Sequence, residues 1–179
     1  MNLRWLSLGL LLSACAGAGP YGYARTYVPI PGEEVAARGA KPLDESMLAE
    51  SARFADVPLT MFGVVEKRGL ASTKGHTFVT LSLRRLDERN VCASGNDERS
   101  CRVTVSDARF GDIPAVLELA PEDDAGDHAV GPGSLLRVVG VLGSDYDAVG
   151  GGAILHGTWY RHWPRGTYVT RAAAKELRQ

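Results

Sequence analysis

Aromatic and basic side chains alternate over residues 159–165, Trp-Tyr-Arg-His-Trp-Pro-Arg, near the end of the chain. In an extended strand, Trp159, Arg161 and Trp163 share one face, and Tyr160 and His162 share the other. Such side chains stack on sugars or bases and are enriched at protein interfaces. We therefore expect a surface for a ligand or partner, formed by Trp159, Tyr160, Arg161, His162, Trp163 and Arg165. The alternative is that the tryptophans close a barrel end and the arginines pair with acidic residues.

Spacings typical of a metal site or a catalytic nucleophile are missing from the sequence. His156 and His162 would lie ~20 Å apart along one strand, too far to bind the same metal ion. No serine stands in a G-x-S-x-G turn, and Asp123 and Asp124 lie in a Pro/Gly-rich segment where we expect solvation. The glycine-rich stretch 149–153 lacks the lysine of a phosphate-binding loop and predicts a flexible loop beside a ligand groove. We expect neither an enzyme nor a cofactor.

The charge of the chain is balanced but unevenly distributed. Twenty Lys and Arg face 21 Asp and Glu, a net charge of −1 at pH 7, which does not favour a general nucleic-acid binder. Residues 110–149 contain eight acidic residues against Arg137 alone, whereas residues 159–179 contain five basic residues against Glu176 alone. We expect these two regions to pair within the molecule.

Alternating β-prone segments dominate the chain after residue 58. Five strands are predicted: Leu59–Glu66, Thr77–Leu83, Cys101–Ser106, Ser134–Leu142 and Ala153–Trp163. The segment Asp112–Leu119 is ambiguous, since Pro114 fits either a first helical turn or an edge strand. Asp44 and Thr170 are expected to cap helices at the two ends of the domain. The fold class is therefore mainly β, with a small five-stranded barrel, a short N-terminal helix and a C-terminal helix.

Two segments are similar to the oligonucleotide/oligosaccharide-binding (OB) fold. Residues 132–141, Pro-Gly-Ser-Leu-Leu-Arg-Val-Val-Gly-Val, resemble its fourth strand, and Gly63-Val64-Val65 resembles its first. The resemblance spans roughly residues 57–165 and implies a closed or nearly closed barrel. The chain departs from the family in its weak helix between strands three and four and in its long, cysteine-bearing loop between strands two and three. Other small β-barrels and an immunoglobulin-like sandwich remain alternatives.

The N-terminus resembles the signal peptide of bacterial lipoproteins. Arg4 precedes the apolar run Trp5–Leu12, which is shorter than the ~20 residues of a membrane-spanning helix. Leu12-Ser13-Ala14-Cys15 resembles a lipobox, which implies cleavage of residues 1–14 and lipidation of Cys15. Ala16 after the cysteine favours the outer membrane in that family. Cleavage after the small residues 16–18, which would leave an ordinary secreted protein, and retention in the cytoplasm are the alternatives.

The lipoprotein resemblance has consequences for the rest of the chain. It predicts a lipidated N-terminus and flexible tether over residues 15–42, followed by the barrel domain over residues 43–179. In an oxidising compartment the two remaining cysteines, Cys92 and Cys101, are expected to form a disulfide. A metal pair is the alternative, although C-x8-C is not a zinc spacing.

These observations together predict a non-catalytic binding module in the cell envelope. The expected partners are the membrane, through the lipid, and a protein or glycan of the envelope. A structural component of an envelope complex is the alternative. Single-stranded nucleic-acid binding is a lower alternative, because only fold analogy suggests it.

Overall fold

The structure is a computed structural model that describes residues 20–69, 75–146 and 152–178, without the side chains of residues 144–146. The strands are β1 Tyr23–Thr26, β2 Lys41–Pro42, β3 Leu59–Arg68, β4 His76–Arg84, β5 Arg89–Cys92, β6 Cys101–Val105, β7 Gly111–Glu118, β8 Leu135–Tyr146, β9 Ala153–Trp163 and β10 Tyr168–Thr170. The α-helices are α1 Pro31–Ala36, α2 Glu45–Ala49, α3 Pro121–Asp124 and α4 Arg171–Leu177, and short 3-10 helices cover Ser51–Phe54 and Glu98–Ser100.

Five of these strands close into a barrel in the order β3, β4, β7, β9, β8 and back to β3. Every neighbouring pair is antiparallel except β7 and β9, which are parallel. Short helices precede and follow the barrel, and Asp44 and Thr170 cap α2 and α4 as expected. The predicted fold class, a mainly β protein with a small OB-like barrel, is confirmed.

The third barrel strand is not the predicted one. That position belongs to β7, in which Ile113, Ala115 and Leu117 alternate inward and are at most 2% exposed. The segment expected there, Cys101–Ser106, lies outside the barrel as β6. Pro114 lies opposite Thr80 of β4 and outside the short parallel pairing with β9, which involves only Ala115 and Val116.

A second, four-stranded sheet has the order β1, β5, β6, β10. Its two central strands come from the long insertion between β4 and β7, and its edge strands come from the two ends of the described chain. Cys92 and Cys101 lie opposite each other in the β5–β6 hairpin, and their sulfur atoms are 2.05 Å apart. The predicted disulfide pair is therefore present. It closes this hairpin and not the one expected between Thr77–Leu83 and Cys101–Ser106, because β4 pairs with β3 and β7 instead.

The described part of the predicted tether is folded against the barrel. β1 pairs with β5, β2 pairs with β3, and α1 lies between them. Part of the segment predicted as a tether, residues 15–42, is thus regular secondary structure, and the edge of β5 gives β1 a hydrogen-bonding partner. Residues 15–19 lie outside the described residues.

Three apolar clusters hold these layers together. The barrel interior is filled from all five strands, around Leu59, Leu81, Leu117, Leu136 and Leu155. A second cluster joins the outer face of the barrel to the second sheet and contains Phe62, Val103, Val105, Leu135 and Trp163. A third cluster, Val91, Val169 and Ala174, lies between the second sheet and α4. The second sheet is therefore packed on both of its faces, against the barrel on one side and against α4 on the other.

Candidate functional site

The structure divides the six predicted site residues among four places. Arg161 and Trp163 point between the barrel and the second sheet, whereas Tyr160 and His162 point towards α3 on the opposite face of β9. Trp159 shares a separate cleft with Tyr160, and Arg165 lies over Gly133. The strand alternation expected from the sequence is thus observed, but no single surface contains the whole cluster.

Trp163 lies in the apolar layer between the two sheets and is 8% exposed. Its ring centroid is 6.3 Å from that of Tyr27 and 6.0 Å from that of Phe62. The guanidinium of Arg161 stands 4.6 Å above the Trp163 ring, within the range of a cation–π contact. The N-terminal segment therefore covers much of the β9 face on which Arg161 and Trp163 were predicted to form a binding surface.

A buried carboxylate, Glu33 of α1, lies at the centre of this layer and is 0% exposed. It accepts hydrogen bonds from Arg161 Nη1 at 2.9 Å, from Arg137 Nη1 and from the Tyr27 hydroxyl. The backbone N–H of Ile30 donates a further bond at 3.3 Å. A carboxylate without water requires such complete pairing, since an isolated buried charge is costly.

The register of β8 and β9 explains why an acid is needed here. Arg137 and Arg161 are directly opposite each other in this pair, and like charges in that position repel. Burial is the main cause that lowers the pKa of Arg137, and the nearby Arg161 adds to it. Glu33 offsets this repulsion by bonding to both guanidinium groups. The expected acidic partner from residues 110–149 is thus replaced by one from α1.

On the opposite face of β9, Asp123 of α3 binds the other two side chains. Its Oδ1 lies 2.6 Å from His162 Nδ1, and its Oδ2 accepts a 2.8 Å hydrogen bond from the Tyr160 hydroxyl. That hydroxyl also accepts the backbone N–H of Ala120 at 2.8 Å. Burial, with the neighbouring Asp123 carboxylate, raises the pKa of Tyr160 to about 12. The predicted pairing of the basic residues of 159–179 with residues 110–149 is not seen among the described residues: Arg161 pairs with Glu33 and Arg171 with Asp87. Asp123 contacts His162, which is not one of those five bases.

Ser134 completes a Ser-His-Asp arrangement that the sequence analysis missed. Its Oγ lies 3.0 Å from His162 Nε2 and accepts the backbone N–H of Gly131 at 3.2 Å. The Pro-Gly-Ser turn at residues 132–134 was the available signal. Ser134 is 3% exposed, so acyl transfer would require the segment 121–133 to move away. In this conformation the arrangement fixes that segment to the barrel.

A cleft of about 420 Å³ opens at the edge of the apolar layer, beside Arg161 and Trp163. We call it the interlayer cleft; Arg25, Tyr27 and Asn90 also line it. Asn90 is 8% exposed, and its Oδ1 accepts no hydrogen bond from any described residue. Buried polar atoms are usually paired, so this oxygen requires an explanation.

Trp159 and Arg165 have different surroundings. Trp159 is half-buried and, with Tyr160 and His76, lines a separate cleft of about 660 Å³. Arg165 is exposed and lies over Gly133, where an added Cβ would come within 3.0 Å of Arg165 Cδ. Neither residue contributes to the interlayer cleft.

Several sequence-based predictions concern parts of the chain outside the described residues, including Cys15 and most of the glycine-rich loop. Among the residues that are described, no helix has the length and apolar character needed to cross a bilayer. Within those same ranges no three His, Cys, Asp or Glu side chains are grouped to bind one metal ion. No protein-family model matches the sequence, and no curated protein is similar to it.

Proposed function

We propose that this protein is a lipid-anchored, non-catalytic binding module of the bacterial cell envelope that holds a saccharide in its interlayer cleft. The observation that carries the proposal is the chemistry of that cleft. Two aromatic rings, Tyr27 and Trp163, stand beside the Asn90 amide oxygen, which no described residue pairs. Three arginines and one glutamate also line the cleft: Arg25, Arg99, Arg161 and Glu98. Sugars present apolar C–H faces and hydroxyl groups, which suit rings and hydrogen-bonding side chains respectively.

Asn90 gives the cleft a specific requirement. Its Oδ1 needs a donor, and a sugar hydroxyl supplies one. Arg25 and Arg161 add donors for the oxygens of a saccharide, and Arg25 already bonds to Gly95 O at 2.8 Å and to Glu98 at 3.2 Å. The size of the cleft, about 420 Å³, suits one or two sugar rings more than a long peptide.

The surface of the N-terminal segment supports the membrane anchor. Among the described residues, most of the exposed large apolar side chains belong to it: Tyr23, Val28, Ile30 and Val35. Tyr23 is the eighth residue after Cys15, a span of at most about 28 Å when fully extended. A lipid on Cys15 would therefore keep this apolar surface close to the bilayer, where such side chains are stable.

The saccharide proposal is tested with protein immobilised on resin and saccharides released from the envelope of the native host. We expect wild type to retain a saccharide that mass spectrometry identifies. The Asn90→Leu variant should lose it, because leucine has the same shape but no acceptor. Asn96→Leu, a change at an exposed asparagine outside the cleft, is the matched control. Equal retention by the Asn90 variant would overturn the proposal.

Two further results separate the alternatives. Retention of one stoichiometric protein, without saccharide, would favour the structural component of an envelope complex. The anchor is tested by the intact mass of protein purified from the native host, where we expect residues 15–179 carrying acyl chains. A mature form without lipid would remove the anchor but leave the cleft chemistry intact.

A further inference from the structure

A second cleft, of about 430 Å³, lies on the barrel surface beyond Arg137. Leu43, Phe62 and Phe110 form apolar parts of its wall, and the first two are under 9% exposed. This cleft lies at β3 and at the end of β4. It is separate from the interlayer cleft, which has different lining residues. We call it the arginine-lined cleft.

Among the described residues, three arginines line this cleft, Arg84, Arg85 and Arg137, and no acidic side chain does. The Arg137 guanidinium stands 5.3 Å from the Phe62 ring centroid, and that of Arg85 stands 5.3 Å from the Phe110 ring centroid. These cation–π contacts hold the two guanidinium groups against the apolar wall. The cleft therefore combines positive charge with an apolar surface.

The three arginines differ in their counter-ions. Arg137 bonds to the buried Glu33, and Arg85 makes a 3.4 Å contact with Glu45 in which both side chains are 64% exposed. An exposed pair of that kind contributes little to stability and is readily exchanged. Arg84 has no carboxylate partner among the described residues; its Nη1 donates to the backbone carbonyl of Asp107.

Arg84 also carries an unpaired donor. Its Nε is buried and, within the described part of the chain, has no hydrogen-bond acceptor. Leaving a charged donor without an acceptor is expensive, and a bound oxyanion would remove that cost. Because Arg84 lines an apolar cleft, an oxyanion bound there would bring its apolar substituent against Phe62 and Phe110.

We infer that the arginine-lined cleft binds an amphiphile with an oxyanion head group and a single apolar chain, its head on Arg84. This site goes beyond the proposed saccharide site and does not depend on it. Carboxylate and phosphate heads share the required chemistry, and the guanidinium fork suits both. The apolar chain would replace water along the wall between Leu43 and Phe110.

Isothermal titration with four ten-carbon ligands tests this inference on the folded protein, below their micelle concentrations. Decanoate and decyl phosphate carry the two oxyanion heads, decanol carries the chain without charge, and decyltrimethylammonium carries the opposite charge. We expect one or both anionic ligands to bind at least tenfold more tightly than decanol, and the cation not to bind. A preference between decanoate and decyl phosphate identifies the head group. Acetate and inorganic phosphate report the head alone and should bind at least tenfold more weakly.

The contribution of Arg84 is isolated with Arg84→Met, which keeps the length of the side chain and removes its charge. We expect this variant to weaken decanoate or decyl phosphate binding at least tenfold and to leave the melting temperature unchanged or higher. Arg89→Met, at an exposed arginine of β5 outside the cleft, is the matched control and should bind as wild type does. In ¹⁵N spectra the Arg84 Nε–H resonance should shift when ligand is added.

Several results would overturn the inference. Decanol binding as tightly as the anions would show an apolar groove without anion recognition. Head groups binding as tightly as the ten-carbon ligands would show that the apolar wall contributes nothing. Unchanged binding by Arg84→Met, or an unmoved Arg84 Nε–H signal in the presence of bound ligand, would place the oxyanion elsewhere. Absence of binding by both anionic ligands would also overturn it.

Discussion

The side chains on the two opposite faces of β9 bind two different carboxylates. These carboxylates differ in their burial, in their partners and in their distance along the chain from β9. Glu33 is 0% exposed, binds two arginines and lies 128 residues from Arg161. Asp123 has 22% of its side chain exposed, binds a histidine and a tyrosine and lies 39 residues from His162. The same strand alternation thus produces a fully charged buried cluster on one face and a partly solvated network on the other.

The difference shows how one aromatic and basic segment serves two purposes. On the Glu33 face, Arg137 and Arg161 bind Glu33 of the N-terminal segment, and Arg161 and Trp163 line the interlayer cleft. On the Asp123 face, Tyr160 and His162 hold α3 against the barrel end. Arg161 and Trp163 of the first face line the interlayer cleft, and Tyr160 of the second face lines the separate cleft that it shares with Trp159. Ser134 on the second face is enclosed.

The largest expected effect comes from breaking the Glu33 face. Glu33→Gln leaves Arg137 and Arg161 buried opposite each other without an anion, and should lower the free energy of unfolding by about 3–5 kcal/mol in urea titrations. Glu34→Gln, at the exposed neighbouring residue of α1, should stay within about 0.5 kcal/mol of wild type. A cost below about 1 kcal/mol for Glu33→Gln would show that the arginines do not depend on this carboxylate.

A smaller effect is expected on the Asp123 face. Asp123→Asn weakens the contacts with Tyr160 and His162, and because the side chain is partly exposed the cost should be about 1–2 kcal/mol. Amide exchange at Ala120 should accelerate, since its acceptor is the Tyr160 hydroxyl. Asp127→Asn, at an exposed residue of the same segment, should change neither quantity. An Asp123 variant as unstable as Glu33→Gln would remove the contrast between the two faces.

The sequence was sufficient where a pattern is local. β9 was predicted as Ala153–Trp163, the bounds it has in the structure, because eleven residues of strand leave little ambiguity. The caps at Asp44 and Thr170 were also predicted, since a cap depends on residues within one turn. The third barrel strand was not, because β6 and β7 alternate equally well and only their pairing partners distinguish them.

Glu33 could not be predicted, because its partners lie 104 and 128 residues away. A glutamate that follows Pro-Gly is expected in solvent, and residues 15–42 accordingly resembled a tether. Arg137 was the one usable signal: a lone arginine in a valine- and leucine-rich strand requires an anion. Nothing in the sequence specified that α1 would supply it. Strand alternation predicted that Tyr160 and His162 lie on the opposite face from Arg161 and Trp163. It did not predict that the N-terminal segment and the second sheet would pack on the Trp163 face.

The smallest predicted effect concerns the pH dependence of stability, which should differ between the tyrosines on the two faces of β9. Burial is the main cause that raises the pKa of both Tyr27 and Tyr160, but arginines oppose the rise at Tyr27, whereas Asp123 reinforces it at Tyr160. Tyr160 therefore titrates near pH 12 in the folded protein and at 10.0 when unfolded. Its stabilising contribution is complete below pH 10 and is lost as the pH rises towards 12. In Tyr160→Phe the free energy of unfolding should consequently fall less steeply across that interval, measured by urea titration at each pH. A slope in Tyr160→Phe identical to that of wild type would show that Tyr160 titrates alike in the folded and unfolded states.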